Sequence, residues 1–157
     1  MRIEQHIEEL DRQGRLLADA AAAAGPDAPV PTCPGWSVRT LLTHTGRVHR
    51  WGTSFLRADP GADPNAGFDD PAPGPILDWY RAQHAALVVA LRAAPPNLAT
   101  WTYLPAPSPL AFWARRQAHE TAVHRADAAA ALGAEAPGYG TVFAADGIDE
   151  LLLGFLA

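Results

Sequence analysis

The chain has 157 residues, a net charge of −5 at pH 7 and a single cysteine. Its length suits one domain with a full hydrophobic core, its acidic balance excludes a basic surface for nucleic acid, and its one cysteine excludes a disulfide framework and a cysteine-rich zinc site. The charged N-terminus has no signal-peptide core, and no apolar run reaches membrane-spanning length. We therefore expect a cytoplasmic protein of one domain, residues 1–157, without nucleic-acid or membrane partners.

The first part of the chain contains two predicted helices. Apolar residues recur at helical spacing through residues 2–24, and Gly25-Pro26 ends this first helix. Residues 25–35 form a proline-rich connection, after which Ser37 is a good N-cap for a second helix. The inward stripe of the second helix is apolar except for one histidine: Leu41, His44, Val48, Trp51 and Phe55.

A long connection separates the second helix from the third. Residues 58–75 are rich in Pro, Gly and Asp and show no periodicity, which predicts a loop able to close over a bound ligand. The third helix ends at Pro95-Pro96, and the apolar connection at residues 97–110 is expected to pack over one end of a bundle. The inward residues of the third helix are Leu77, Tyr80, His84, Leu87 and Leu91.

The fourth predicted helix covers residues 112–132, which contain no Gly or Pro, and Gly133 follows at a typical stop position. Its inward line should be apolar, yet polar residues occupy the centre: Trp113, Arg116, Glu120, Val123, Asp127 and Ala130, with His124 beside them. Residues 143–157 predict a fifth helix that ends on an apolar stripe, so we expect the natural protein to continue beyond it. Five helices and no alternating strand pattern predict an all-α bundle. We expect this bundle to be antiparallel, with the helices at about 36–57 and 111–132 as neighbours.

Two imidazoles and one carboxylate on inward lines predict a metal site. Glu120 and His124 are four residues apart and point the same way from successive turns, and His44 lies on the inward stripe of another helix. Two histidines and one glutamate leave an open position, as a catalytic zinc site requires. In the alternative interpretation, Glu120 pairs with Arg116 one turn earlier and His44 is a core histidine bonded to backbone.

We expect the remaining histidines to lie outside the predicted metal site or to support it. His119 is rotated by about 100° from Glu120 and is expected to pack or to hydrogen-bond to a ligand. His84 is the main rival ligand, although a hydrogen-bonded core histidine is the plainer interpretation. His49 lies off the His44 stripe and is expected to face a neighbouring helix or a cleft, and His6 is expected on the surface.

Polar and aromatic residues beside the predicted ligands have candidate roles in orientation or binding. Arg116 and Asp127 can hydrogen-bond to ligands and orient them, although Arg116 can equally hold an anionic substrate and Asp127 can form a salt bridge with a neighbouring arginine. Trp51 lies two turns after His44. These positions predict a cleft bordered by Trp51, Arg116 and residues 58–75. No residue is assigned as catalytic.

Two segments resemble a known family. CPGWSVRTLLTHTGRVHRW at residues 33–51 and RRQAHETAVHRADA at residues 115–128 are similar to the N-terminal domain of the mycothiol-dependent maleylpyruvate isomerase family, within the DinB-like superfamily. The resemblance implies an all-α, DinB-like four-helix bundle with long crossover connections and an additional C-terminal helix. It also implies His44, Glu120 and His124 as ligands of zinc or another divalent ion.

The resemblance further implies a metal-dependent enzyme that uses a small-molecule thiol, mycothiol, for isomerase or transferase chemistry on a small electrophilic substrate. The second domain that helps to complete the active site of the named enzyme is not in this sequence, so maleylpyruvate itself is not implied as the substrate. Two alternatives are a non-catalytic metal-binding bundle that acts as a sensor or interaction module, and a structural bundle with hydrogen-bonded histidines. A homodimer is among the arrangements that the sequence allows.

Overall fold

A computed structural model of the chain describes residues 1–57 and 72–156. Within these ranges it contains helices α1 to α5, with these bounds: α1 Ile3–Ala24, α2 Val38–Arg57, α3 Ile76–Ala93, α4 Pro109–Ala131 and α5 Thr141–Glu150. A wide π-type turn, Leu151–Phe155, follows α5. The all-α prediction is therefore confirmed for the described residues. Residues 58–71 of the predicted ligand-covering loop lie outside them.

Local signals explain where the ligand-bearing helices begin and end. The Ser37 Oγ accepts a hydrogen bond from the Thr40 backbone N–H at 3.3 Å, as expected for the N-cap of α2. α4 begins three residues before its predicted start, because Ser108 caps it through the Ala111 N–H at 3.1 Å and Pro109 fits its first turn. Gly133 adopts φ of 73° just after α4, a conformation that favours glycine.

The four long helices form a bundle in which α1 lies beside α3 and α4, and α2 lies beside the same two helices. Side-chain pairs fix their directions. α2 and α4 run antiparallel, because the His44 ring contacts His124 at one end and the Trp51 ring contacts Trp113 towards the other. α1 and α3 also run antiparallel, as shown by the Asp11–Arg92 and Asp19–Arg81 pairs.

The sequence predicts an antiparallel bundle, but the other two pairs of neighbouring helices run parallel, so the prediction is wrong for these pairs. α1 and α4 run parallel, since His6 contacts His119 and Gln13 contacts Arg125. α2 and α3 also run parallel, because Gly46 packs against Trp79 near one end and Gly52 against Leu87 further along. Parallel helices that follow each other in sequence require a long crossover connection, which agrees with the DinB-like topology.

The buried face of α2 differs from the predicted stripe. His44 and Trp51 are only half-buried, and the buried arc is the neighbouring one: Leu41, Thr45, His49, Thr53 and Leu56. α2 packs against both α3 and α4, so its buried arc is wide and includes polar residues. The hydroxyls of Thr45 and Thr53 donate to carbonyls one turn earlier, Leu41 and His49, which lets them be buried without loss of a hydrogen bond.

The buried face of α4 also departs from the prediction at one position. Trp113, Arg116 and Asp127 are buried as expected, but Val123 is 59% exposed, so its inward placement is wrong. The buried positions of α4 instead include small residues, Ala114, Ala118 and Ala122, which share a core cluster with Ile7 and Leu10 of α1. No helix in the described part of the chain is long and apolar enough to cross a membrane.

Candidate metal centre

The three predicted ligands meet between α2 and α4. The Nε2 of His124 lies 3.2 Å from the Oε1 of Glu120, and the Nε2 of His44 lies 3.5 Å from the same oxygen. The candidate ligand atoms of the three residues all lie within 4.8 Å of one another. Tetrahedral zinc with bonds of about 2 Å holds its ligand atoms roughly 3.3 Å apart. The donor set therefore fits one zinc-sized ion with small side-chain adjustments.

A carboxylate behind His124 fixes the orientation of this ring. The Nδ1–H of His124 donates to the Oδ2 of Asp127 at 2.8 Å, and the Oδ1 of Asp127 accepts from the hydroxyl of Thr32 at 2.6 Å. This arrangement directs the Nε2 of His124 towards Glu120. Burial lowers the pKa of His124, but its hydrogen bonds with Glu120 and Asp127 outweigh burial and raise the pKa overall. Without an ion, a proton on Nε2 satisfies the contact with Glu120.

Glu120 remains a carboxylate at neutral pH. Burial alone would raise its pKa, but hydrogen bonds with His124 and His44 and the charges of His124 and Arg116 lower it well below its usual range. Its two oxygens have different partners. Oε1 faces the two histidines, whereas Oε2 accepts a hydrogen bond from the Nη2 of Arg116 at 3.0 Å. One oxygen of an anionic carboxylate is thus held towards the site.

Arg116 is held between two carboxylates. Its Nη2 donates to Glu120 and its Nη1 donates to Glu150 of α5. The ring of Phe155 lies 5.3 Å from the guanidinium carbon. Because both donor groups already have acidic partners, an anionic substrate would have to displace one of them. The geometry favours the orienting role predicted for Arg116 over the substrate-binding one.

Trp36 covers the histidine side of the site, a position that the sequence interpretation missed. Its ring centroid lies 5.1 Å from that of His44 and 6.2 Å from that of His124. The signal that the sequence offered was the place of Trp36, directly after the Pro34-Gly35 turn and before α2. Thr32 was missed as well, because it is 95 residues from its partner Asp127 and no local pattern connects them.

Trp51 lies in an aromatic cluster at the end of the bundle, where the connection before α4 packs as predicted. Its ring contacts there are Phe55, Trp101, Tyr103 and Trp113. Tyr103 links this cluster to the site. Burial raises the pKa of the Tyr103 phenol, and the charge of Arg116 opposes that shift. The predicted cleft bordered by Trp51, Arg116 and residues 58–75 stays a prediction, because its third border falls mainly on residues outside the described ranges.

His119 and His6 belong to a second polar group around Asp146 of α5. Their Nε2 atoms lie 2.8 Å and 2.9 Å from the Oδ2 of Asp146, so the structure does not bring His119 to the three ligands. The surface prediction for His6 is wrong, because α5 covers it. Asp146 also pairs with Arg115 and with the ammonium group of Met1. Since two cations already neutralise this carboxylate, we interpret the group as an anchor of α5 to α1 and α4.

His84 and His49 are buried and hydrogen-bonded inside the bundle. The Nε2–H of His84 donates to the Leu10 carbonyl at 3.1 Å, which is the plainer of its two interpretations. The Nε2–H of His49 donates to the Thr121 hydroxyl at 2.9 Å, so His49 faces a neighbouring helix as expected. Burial lowers the pKa of both imidazoles. Neither lies within the group of three candidate ligands.

Comparison with known proteins identifies one family. The family model described as the mycothiol maleylpyruvate isomerase N-terminal domain matches residues 7–129. This range includes all three candidate ligands and Asp127, whereas α5 lies outside it. No curated protein and no solved structure matches the chain.

Proposed function

The chain belongs to the family of mycothiol maleylpyruvate isomerase N-terminal domains, and from this premise we propose that it is a metal-dependent enzyme. It uses a small-molecule thiol, mycothiol, for isomerase or transferase chemistry on a small electrophilic substrate. The observation that carries the proposal is the convergence of His44, Glu120 and His124 from two helices within 4.8 Å. Two imidazoles and one carboxylate favour zinc among the divalent ions.

The ion would be held by the Nε2 atoms of His44 and His124 and by the Oε1 of Glu120. When bound, it would supply an open coordination position at which a thiol loses its proton at neutral pH. Asp127 keeps a proton at the Nδ1 of His124 and so leaves Nε2 free to act as a ligand. Arg116 holds the second oxygen of Glu120 away from the site.

Access to the site comes from its half-exposed side. The side chain of His44 is 36% exposed and that of Glu120 is 26% exposed, whereas Trp36 covers the histidine rings. A small molecule can therefore approach the ligands from solvent without disrupting the bundle. This one-sided exposure supports a small soluble thiol as the co-substrate.

An apolar groove reaches Arg116, the hydrogen-bond partner of Glu120, and has the size to hold a small organic molecule, although none of the three candidate ligands lines it. The groove lies between α4 and α5, has a volume of about 510 Å³, and is bordered by Arg116 and Glu150. Its apolar walls include Tyr139, Phe143, Ile148 and Phe155. This volume lies within the range of small-molecule sites.

The anchoring of α5 to α1 and α4 through Asp146 also leads us to propose one domain for residues 1–157.

A second candidate function is a non-catalytic, divalent-metal-binding bundle that acts as a sensor or interaction module. The observation that favours it is the set of exposed apolar side chains at the end of α5, since such patches often mark contact surfaces. They include Ile148, Leu151, Leu152, Leu153, Phe155 and Leu156.

Cobalt substitution tests the enzyme proposal and separates the two candidates. Protein purified near neutral pH is loaded with cobalt and titrated with mycothiol or a simpler thiol. A sulfur-to-cobalt charge-transfer band that rises to one equivalent supports the thiol mechanism. Stoichiometric cobalt without a band for any thiol favours the non-catalytic candidate, and protein that never holds a divalent ion contradicts both. Acidic buffer must be avoided, because imidazole ligates only when neutral.

A further inference from the structure

We infer that Glu150 of α5 is a positioning residue for the candidate metal centre: it acts through Arg116 to hold and charge-balance Glu120. The inference rests on the proposed metal-binding function and goes beyond it, because α5 lies outside the range matched by the family. Glu150 does not itself belong to the group of three candidate ligands.

The first basis for the inference is a continuous buried contact. The Nη1 of Arg116 donates to Glu150, and the Nη2 of the same guanidinium donates to the Oε2 of Glu120 at 3.0 Å. Arg116 is 9% exposed and Glu150 is 5% exposed. A guanidinium is planar and rigid, so fixing one nitrogen fixes the direction of the other. Glu150 therefore determines where Arg116 meets Glu120.

The second basis is charge. Arg116 alone would pair fully with Glu120 and would weaken that carboxylate as a ligand for a cation. Glu150 shares the positive charge, so the Arg116–Glu150 pair is close to neutral and Glu120 keeps its negative charge for the site. Removing the charge of Glu150 while keeping its shape should leave Arg116 drawn more strongly to Glu120.

The third basis is the support of α5. Asp146, one turn before Glu150, is hydrogen-bonded to His6 and His119, and the ring of Phe143 stacks on His119 with a centroid distance of 4.5 Å. These contacts dock α5 without any contribution from Glu150. Glu150 is thus carried on a fixed support, as a positioning residue requires, and its replacement can be tested in a folded chain.

The test compares zinc affinity in the full chain with and without the Glu150 carboxylate. We expect Glu150→Gln to weaken zinc binding by up to about tenfold, the lower end of the range for loss of a direct hydrogen-bond partner of a ligand, because Glu150 acts one contact further away, through Arg116. The control is Asp149→Asn, which removes the same charge from the exposed neighbouring residue and should leave the affinity unchanged. Equal affinities for wild type and Glu150→Gln would overturn the inference.

A double-mutant cycle and a spectrum distinguish positioning from general destabilisation. In an Arg116→Gln background the further change Glu150→Gln should have no additional effect on zinc affinity, since the contact acts through Arg116. Independent, additive losses would contradict the inference. The cobalt absorption spectrum should differ between wild type and Glu150→Gln, whereas a purely structural role would lower thermal stability and leave the spectrum and affinity unchanged.

Two further outcomes keep the test decisive. If Glu150→Gln does not fold, Glu150→Asp retains the charge but shortens the side chain, and it should also weaken zinc binding; unchanged affinity in a folded Glu150→Asp variant would overturn the inference. Wild-type protein that binds no divalent ion would overturn the proposed function and this inference together. Wild-type binding with no effect of Glu150 would overturn this inference alone.

Discussion

The Nδ1 of His124 and the Oδ2 of Asp127 lie 2.8 Å apart on the same face of α4. The two residues are three positions apart, so one helical turn brings the carboxylate behind the imidazole. Thr32, from the connection before α2, donates to the other carboxylate oxygen and keeps Asp127 in place. A candidate ligand, the group that orients it, and a support for that group are therefore built from two segments of the chain.

Replacement of Asp127 should weaken metal binding. In Asp127→Asn the carboxylate that accepts the Nδ1 proton is lost, so the Nε2 of His124 is less basic and its ring less well oriented. We expect a loss of zinc affinity of about 10- to 100-fold, measured by competition with a chelator. Asp149→Asn on the exposed face of α5 is the charge-matched control. Unchanged affinity in Asp127→Asn would mean that Asp127 does not orient a ligand.

Two histidine replacements should separate a ligand from a core residue. His44→Ala should abolish stoichiometric zinc binding with little loss of stability, because His44 is half-exposed. His84→Ala should keep zinc binding but lower the free energy of unfolding by about 1–3 kcal/mol, since the Leu10 carbonyl loses its second donor and removal of a buried ring leaves a cavity. Metal content and thermal unfolding measure both effects. Loss of zinc from folded His84→Ala would instead support the rival ligand.

The stability of the metal-free protein should fall as pH decreases from about 6.5 to 4. Burial outweighs the contact with Asp146 and lowers the pKa of His119 to about 4. The unfolded chain therefore binds more protons than the folded one between pH 4 and 6.5, so protonation favours unfolding across that window. At about 1.4 kcal/mol per pKa unit, the contribution of His119 is at most roughly 3 kcal/mol.

The variant His119→Gln isolates this contribution. Denaturant unfolding at pH 7 and pH 5, with a chelator present, gives the loss of unfolding free energy for each protein. The loss should be smaller in His119→Gln than in wild type. The opposite contribution of His124, whose pKa is raised, is present in both proteins and cancels in the comparison. An equal loss in both would contradict the prediction.

α2 and α3 lie so close together at Gly46 that a side chain at this position should destabilise the protein. A Cβ built at Gly46 would lie 2.2 Å from the ring of Trp79, so Gly46→Ala forces this buried ring, or the two helices, to move. Overpacking of this kind costs about 1–3 kcal/mol, which thermal or denaturant unfolding can measure. Gly138→Ala is the control, because a Cβ there meets nothing within 4 Å. A Gly46→Ala variant as stable as Gly138→Ala would contradict the packing seen between these helices.

Local patterns in the sequence predict the helices and the ligand pair on α4 well. The spacing of Glu120 and His124 is a property of one helix, and the Gly and Pro residues between helices mark their ends. Local spacing predicts less well which residues of a helix are buried when its buried face is wide, because that depends on the neighbouring helices. The predicted line through Val123 fails because each of α2 and α4 packs against two helices, so a single stripe does not describe its buried face.

Contacts between distant segments could not be predicted from periodicity. His6 looks like a surface residue in its own helix and becomes buried only because Asp146, 140 residues later, lies over it. Glu150 reaches Arg116 across 34 residues, and Trp36 reaches the two histidines from outside the helices that carry them. Each of these contacts depends on how the bundle assembles, which no single segment encodes.

The crossover topology has a consequence for folding. α2 and α4 meet only after the chain between them has folded back; their His49–Thr121 hydrogen bond joins residues 72 positions apart. An ion shared by His44 and the α4 ligands would act as a reversible cross-link across a similarly long loop, closing it in the folded chain and leaving the unfolded chain open. Resistance to unfolding would then rise with free metal concentration by mass action. Metal supply would thereby set the fraction of the protein that is folded.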